Sequence, residues 1–185
     1  LTLDLSPKTI KARASISKFV DQTPSDDRDT KFGGVSVAEP GTIEGELATG
    51  VTNAVLSDFR DNRVFDMIEK NLDNADLIIK GRIQRFSGKG GPNALFWFTI
   101  PIDIIWYFGL PVQSVDAEVQ LGLAVVRPDG TEVGVYTGRS QLSESFSIYT
   151  YAHLATTKYT NTAFANAVGQ IRQKLLADES KLTKR

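Results

Sequence analysis

The strongest constraint in this sequence is a long run that alternates with period two, turns once and comes back. Between Val112 and Val126 the apolar residues Val115, Ala117, Val119, Leu121 and Leu123 occupy every second position. Successive side chains of a strand point to opposite faces, so this spacing predicts a strand with one buried face. Arg127–Pro128–Asp129–Gly130 then supplies a tight turn, with Pro presetting φ and Gly tolerating a positive φ. Glu132 to Phe146 returns as the second arm. A hairpin of this length must lay its apolar face on another layer.

The rest of the chain provides that layer. Leu47, Val51, Ala54, Val55 and Phe59 recur at three- and four-residue steps, which predicts a helix over 42–61 with one apolar stripe. Thr42 can cap its first turn, and Glu44 and Glu46 lie where the helix dipole favours negative charge. Phe164, Val168, Ile171 and Leu175 form a second stripe, predicting a helix over 157–177. Shorter strand signals lie at 9–20, where Ile10, Ala12, Ala14 and Ile16 alternate with polar residues, at 64–68, and at 75–86. Asn71 to Asn74 reads as a turn, and 21–41, rich in Asp, Ser, Pro and Gly, as a long loop. The fold class expected is α+β: a single antiparallel or mixed sheet of four to five strands, with two helices packed on one face. The expected organisation is a leader at 1–8, one domain at 9–177, and a charged tail at 178–185.

Composition narrows the function classes. The chain has 185 residues, 41% hydrophobic and 23% charged, in the range of a folded single domain. A net charge of −1 argues against a general nucleic-acid binder, which concentrates Lys and Arg to displace counterions. With no Cys, disulfides, thiol nucleophiles and Cys-based metal sites are excluded. His153 is the single His, so a metal site with two His ligands from one chain is excluded, and no cofactor is expected. No uncharged apolar run reaches the length of a transmembrane helix.

Residues 95–110 stand apart. Both Trp residues fall there, with Phe96, Phe98, Ile102, Tyr107 and Phe108, and Asp103 is the only charge. Three readings fit: core covering the open end of the sheet as a wide loop or strand pair, an exposed patch facing a membrane or another subunit, or a pocket for an apolar ligand. Trp97 and Trp106 suit the second, because each has an apolar body and a polar tip. Pro101 would break any helix through the middle of the segment.

Other candidates are weaker. Lys80, Arg82, Arg85 and Lys89 alternate along the strand 75–86 and just beyond it; a solvated sheet edge explains them, and contact with an anion or lipid headgroup is the functional alternative. Ser87–Gly88–Lys89–Gly90–Gly91–Pro92 lacks the phosphate-loop pattern and reads as a flexible hairpin loop that breaks the strand. Asp21, Asp26, Asp27 and Asp29 lack the spacing of a calcium loop. His153, beside Tyr149, Tyr151 and Tyr159, has no nucleophile pattern near it. No catalytic or metal constellation emerges, and the chain is expected not to be an enzyme.

Several features together carry a resemblance. Phe19–Val20–Asp21 is followed by a long loop and a helix. Then come Ala75–Asp76–Leu77–Ile78–Ile79–Lys80–Gly81–Arg82–Ile83, an aromatic segment ending Gly109–Leu110–Pro111, the Pro128–Asp129–Gly130 hairpin and a last amphipathic helix. Over about residues 9–177 this resembles bacterial periplasmic lipoproteins with a TolB amino-terminal-like α/β domain, among them CsgG and the PelC-type exopolysaccharide lipoproteins. The resemblance implies a periplasmic, outer-membrane-anchored lipoprotein, tethered to the inner leaflet through a lipid upstream of Leu1. It implies a scaffold or accessory role in outer-membrane assembly, secretion or export, other envelope proteins as partners, and sometimes a homo-oligomer. A periplasmic carrier of an apolar, lipid-like ligand is the alternative.

Overall fold

The computed structural model describes residues 9–25, 31–32, 35–36, 46–100, 106, 108–149 and 152–183. Strands β1 (Ile10–Ile16), β2 (Val20–Asp21), β3 (Lys31–Phe32) and β4 (Val35–Ser36) come first. Helix α1 (Glu46–Asp61) and β5 (Phe65–Lys70) follow, then β6 (Leu77–Pro92), α2 (Ala94–Thr99), β7 (Gln113–Val126) and β8 (Glu132–Phe146). Helices α3 (Ala152–Ala177) and α4 (Glu179–Thr183) end the described chain.

All eight strands share one mixed sheet. Strands β6, β7 and β8 form an antiparallel meander. On the other side of β6, β1 pairs in parallel with both β6 and β5. Beyond the end of β1, β2 and then β3 continue along the same side of β6, and β4 flanks β3. The expected α+β class with four to five strands matches the five longer strands; the three two-residue pairings were not legible. One core cluster joins Ile10, Ala14 and Ile16 of β1, Val55 and Phe59 of α1, Leu121 and Leu123 of β7, and Val168, Ile171 and Leu175 of α3. Both main helices therefore lie on one face. Arg172 of α3 clasps Asp58 of α1 at 2.6 Å.

The glycine-rich run departs from expectation. Residues 87–92 do not break β6 and do not form a hairpin loop; they stay paired with β7 up to Pro92 opposite Gln113. The reason lies in α3. A Cβ on Gly88 would stand 2.4 Å from the Thr160 hydroxyl and 2.9 Å from the Thr156 methyl. Glycine here admits the helix rather than loosening the strand. Gly138 on β8 does the same, where a Cβ would fall 2.0 Å from the Ala167 carbonyl oxygen. Helix α3 also begins five residues earlier than its stripe predicted.

That helix shields the edge of β8. The Gln170 side chain accepts from the Arg139 N–H at 3.1 Å and donates to the Arg139 carbonyl at 2.9 Å. Lys174 donates to the Thr137 carbonyl at 2.6 Å. Edge groups that would otherwise template strand addition are thereby occupied. Beyond Ala177 the charged segment is partly structured: Leu182 of α4 is buried in the main core. Tyr136 donates to Asp178 at 3.2 Å, and burial together with that carboxylate pushes its phenol up to about 12.

Candidate functional site

Strands β6 and β7 are adjacent and antiparallel, yet residues 93–112 intervene between them. Asn93 closes the base of this excursion. Its N–H donates to the Val112 carbonyl at 3.0 Å, and its side-chain amide donates to the Pro111 carbonyl at 2.6 Å. Its side-chain oxygen accepts from the Phe96 N–H at 3.2 Å, which caps α2. An Asn directly before an apolar run is a helix-start signal that the sequence reading did not use.

Residues 94–99 are therefore helical, neither the wide loop nor the strand pair that the core reading supposed. Helix α2 stops before Pro101, as that residue's missing N–H requires. Trp106 folds back onto it. Its ring stacks on Phe96 with centroids 4.7 Å apart and planes 21° from parallel, and its indole N–H donates to the Thr99 hydroxyl at 2.6 Å. Thr99 in turn donates to the Leu95 carbonyl at 2.7 Å. Phe96 also meets Trp97 edge to face at 5.3 Å.

The small aromatic core of Phe96 and Trp106 holds up an apolar exterior. Trp97 is 64% exposed, Phe98 82% and Phe108 83%. Ile100 is exposed as well. Tyr149, three residues past the end of β8 at this same end of the sheet, is also exposed. Eight large apolar side chains are exposed among the described residues, and these five belong to one end of the molecule. Below them the core thins to a separate small cluster of Val115 and Ala155 with Phe146 and Tyr159. Ile102, Asp103 and Tyr107 lie outside the described residues, as do Asp26, Asp27 and Asp29.

The basic set is placed elsewhere. Lys80, Arg82, Arg85 and Lys89 all stand on the sheet face opposite the helices. Period two alone would put Lys80 and Arg82 on one side and Arg85 and Lys89 on the other. A bulge between Ile83 and Arg85 resets the phase, so that Ile83 and Phe86 both turn toward the core. Arg85 and Arg139 then grip the same carboxylate, Glu118, at 2.8 and 2.7 Å. His153 lies in the first turn of α3.

No family model matches the chain, and no curated protein matches its sequence. Solved structures do align with it. A Xanthomonas campestris protein of the DUF330 family has 12% identity and a TM-score of 0.49, covering 94% of this chain and 86% of that one. The PelC dodecamer of Paraburkholderia phytofirmans has 8% identity and a TM-score of 0.42, covering 96% of this chain and 90% of that one. A candidate lipoprotein from Caulobacter crescentus has 14% identity and a TM-score of 0.41, covering 75% of this chain and 86% of that one.

Proposed function

We propose that this chain is a non-enzymatic accessory domain of the bacterial cell envelope that works by docking, with residues 93–112 as its contact surface. The observation that carries this reading is the exposure of Trp97, Phe98, Ile100 and Phe108 on one capped and internally braced excursion. Exposed apolar clusters of this kind mark interaction sites on soluble proteins. Large aromatic side chains dominate the energetics of such contacts, and the Phe96–Trp106 stack holds them in place before binding. The envelope setting rests on the motif resemblance set out above. So do a lipid tether and assembly with further copies or other envelope proteins.

The test is site-specific photo-crosslinking in the native cell, with a benzophenone side chain at position 98 or, as a control, at position 129 in the opposite hairpin turn. The reading expects a discrete covalent adduct from position 98 and none from 129. An adduct at twice the chain's mass identifies a second copy, and any other discrete protein band identifies an envelope partner. No adduct at 98, or equal adducts from both positions, would overturn the reading.

A further inference from the structure

The sheet face opposite α1 and α3 carries its own signal. From Lys80 to Lys89 the outward positions of the β6–β7–β8 ladder form five rows. The basic residues in them are Lys80, Arg82, Arg85, Lys89 and Arg139; the acidic ones are Asp116 and Glu118. A chain of net charge −1 thus presents one distinctly cationic face. Glu118 is already held between Arg85 and Arg139, and this braces both guanidinium groups. Lys80 and Arg82 are exposed and have no ion-pair partner among the described residues.

The same face accounts for the other three exposed apolar side chains. Val135 lies opposite Ala124 in the row of Lys80, Val20 pairs with Arg82, and Met67 pairs with Arg13. Charges that only solubilise a surface need no apolar residues between them. Arg and Met, both present on this face, are enriched in protein interfaces. The aliphatic character, without Trp or Tyr, separates this face from the aromatic end and from the residues that favour a lipid headgroup layer. The depression between Arg85, Lys89, Asp116 and Glu118 holds about 120 Å³ and has carboxylates in its own wall, which disfavours a small anion.

We infer that the sheet face opposite α1 and α3 is a second docking surface, for a partner protein that presents an acidic, partly aliphatic surface. Charge complementarity selects that partner and steers its approach. This surface is independent of the aromatic excursion.

The test uses the full chain and long-chain poly-L-glutamate as the acidic polypeptide probe, read by fluorescence anisotropy at low and high salt. The inference expects salt-sensitive binding that weakens at least tenfold in Lys80→Glu with Arg82→Glu. It expects an intermediate loss in Lys80→Gln with Arg82→Gln, and less than a twofold change in Lys158→Glu at an exposed position of α3. Ring-loss substitutions at Trp97, Phe98 and Phe108 should leave this binding intact, which separates its failure from failure of the aromatic site. Vesicles of phosphatidylglycerol provide the competing outcome. If they bind through Lys80 and Arg82 while polyglutamate does not, the partner is a lipid surface and the inference is wrong. An absence of polyglutamate binding, or an equal loss in Lys158→Glu, overturns it too.

Discussion

Strand β7 has a connection at each end, and the two differ in almost every respect. Its far end joins β8 through Arg127–Thr131. There the Arg127 N–H donates to the Thr131 carbonyl at 2.8 Å, the Gly130 N–H donates to the Arg127 carbonyl at 2.9 Å, and Asp129 accepts from the Thr131 N–H at 2.8 Å. These three hydrogen bonds all close the turn on itself. Its near end is reached from β6 through residues 93–112, where a hairpin needs two to five residues. The surplus chain is capped, braced by a ring stack, and crowned with side chains that gain nothing from water. A connection that only closes a hairpin is short and polar. One that is long, capped at its base and apolar outside has the build of the docking surface proposed above.

Substitutions sharpen that contrast, beginning with the sheet that both ends share. Gly138→Ala is expected to have the largest effect, about 3 kcal/mol of unfolding free energy in urea, because the new methyl collides with the α3 backbone. If the protein tolerates it, α3 does not lie as close to β8 as described. Trp106→Ala comes next, with about 2 kcal/mol lost from the missing stack and indole hydrogen bond. Trp106→Phe should restore about half of that by keeping a ring over Phe96; equal losses in the two variants would remove the stack from the account. Asn93→Ala removes the cap of α2 and the clasp at its base, for about 1 kcal/mol, and hydrogen exchange should rise in 94–99 before it rises in β6.

The smallest effect lies at the polar turn. The Thr131 backbone N–H holds the Asp129 carboxyl below its usual 3.8. A depressed carboxylate contributes stability above its unfolded value and loses it as pH falls through the folded value. Asp129→Ala should therefore lower the thermal midpoint slightly at neutral pH, and the difference from the parent should vanish in acid below 3.8. A difference that grows in acid would contradict the assignment.

Much of this architecture was legible because it is written in local periodicity. The alternation in β1 and β7, the stripes of α1 and α3, and the Pro128–Asp129–Gly130 turn all depend on neighbours within a few residues. What escaped depends on distant contacts. Gly88, Gly90 and Gly91 read as a strand breaker, since nothing near them announces that Thr156 and Thr160 will press against that strand. The bulge before Arg85 leaves no local mark, yet it decides which face the basic residues share. In the excursion, the density of aromatic residues was plain. Which rings brace the others and which face outward was set by the return of Trp106 onto Phe96. The sequence alone left core, contact surface and apolar pocket all open there.

The central claim is that the outer side chains of the excursion serve docking and not folding. Urea unfolding of the chain carrying Phe98→Ser and Phe108→Ser together, the two most exposed rings, tests it most directly. The account predicts an unchanged m value and a free energy within about 0.5 kcal/mol of the parent, as for exposed positions. A loss of several kcal/mol, in the range of about 3–5 kcal/mol for one buried ring, would make these residues part of the core and contradict it.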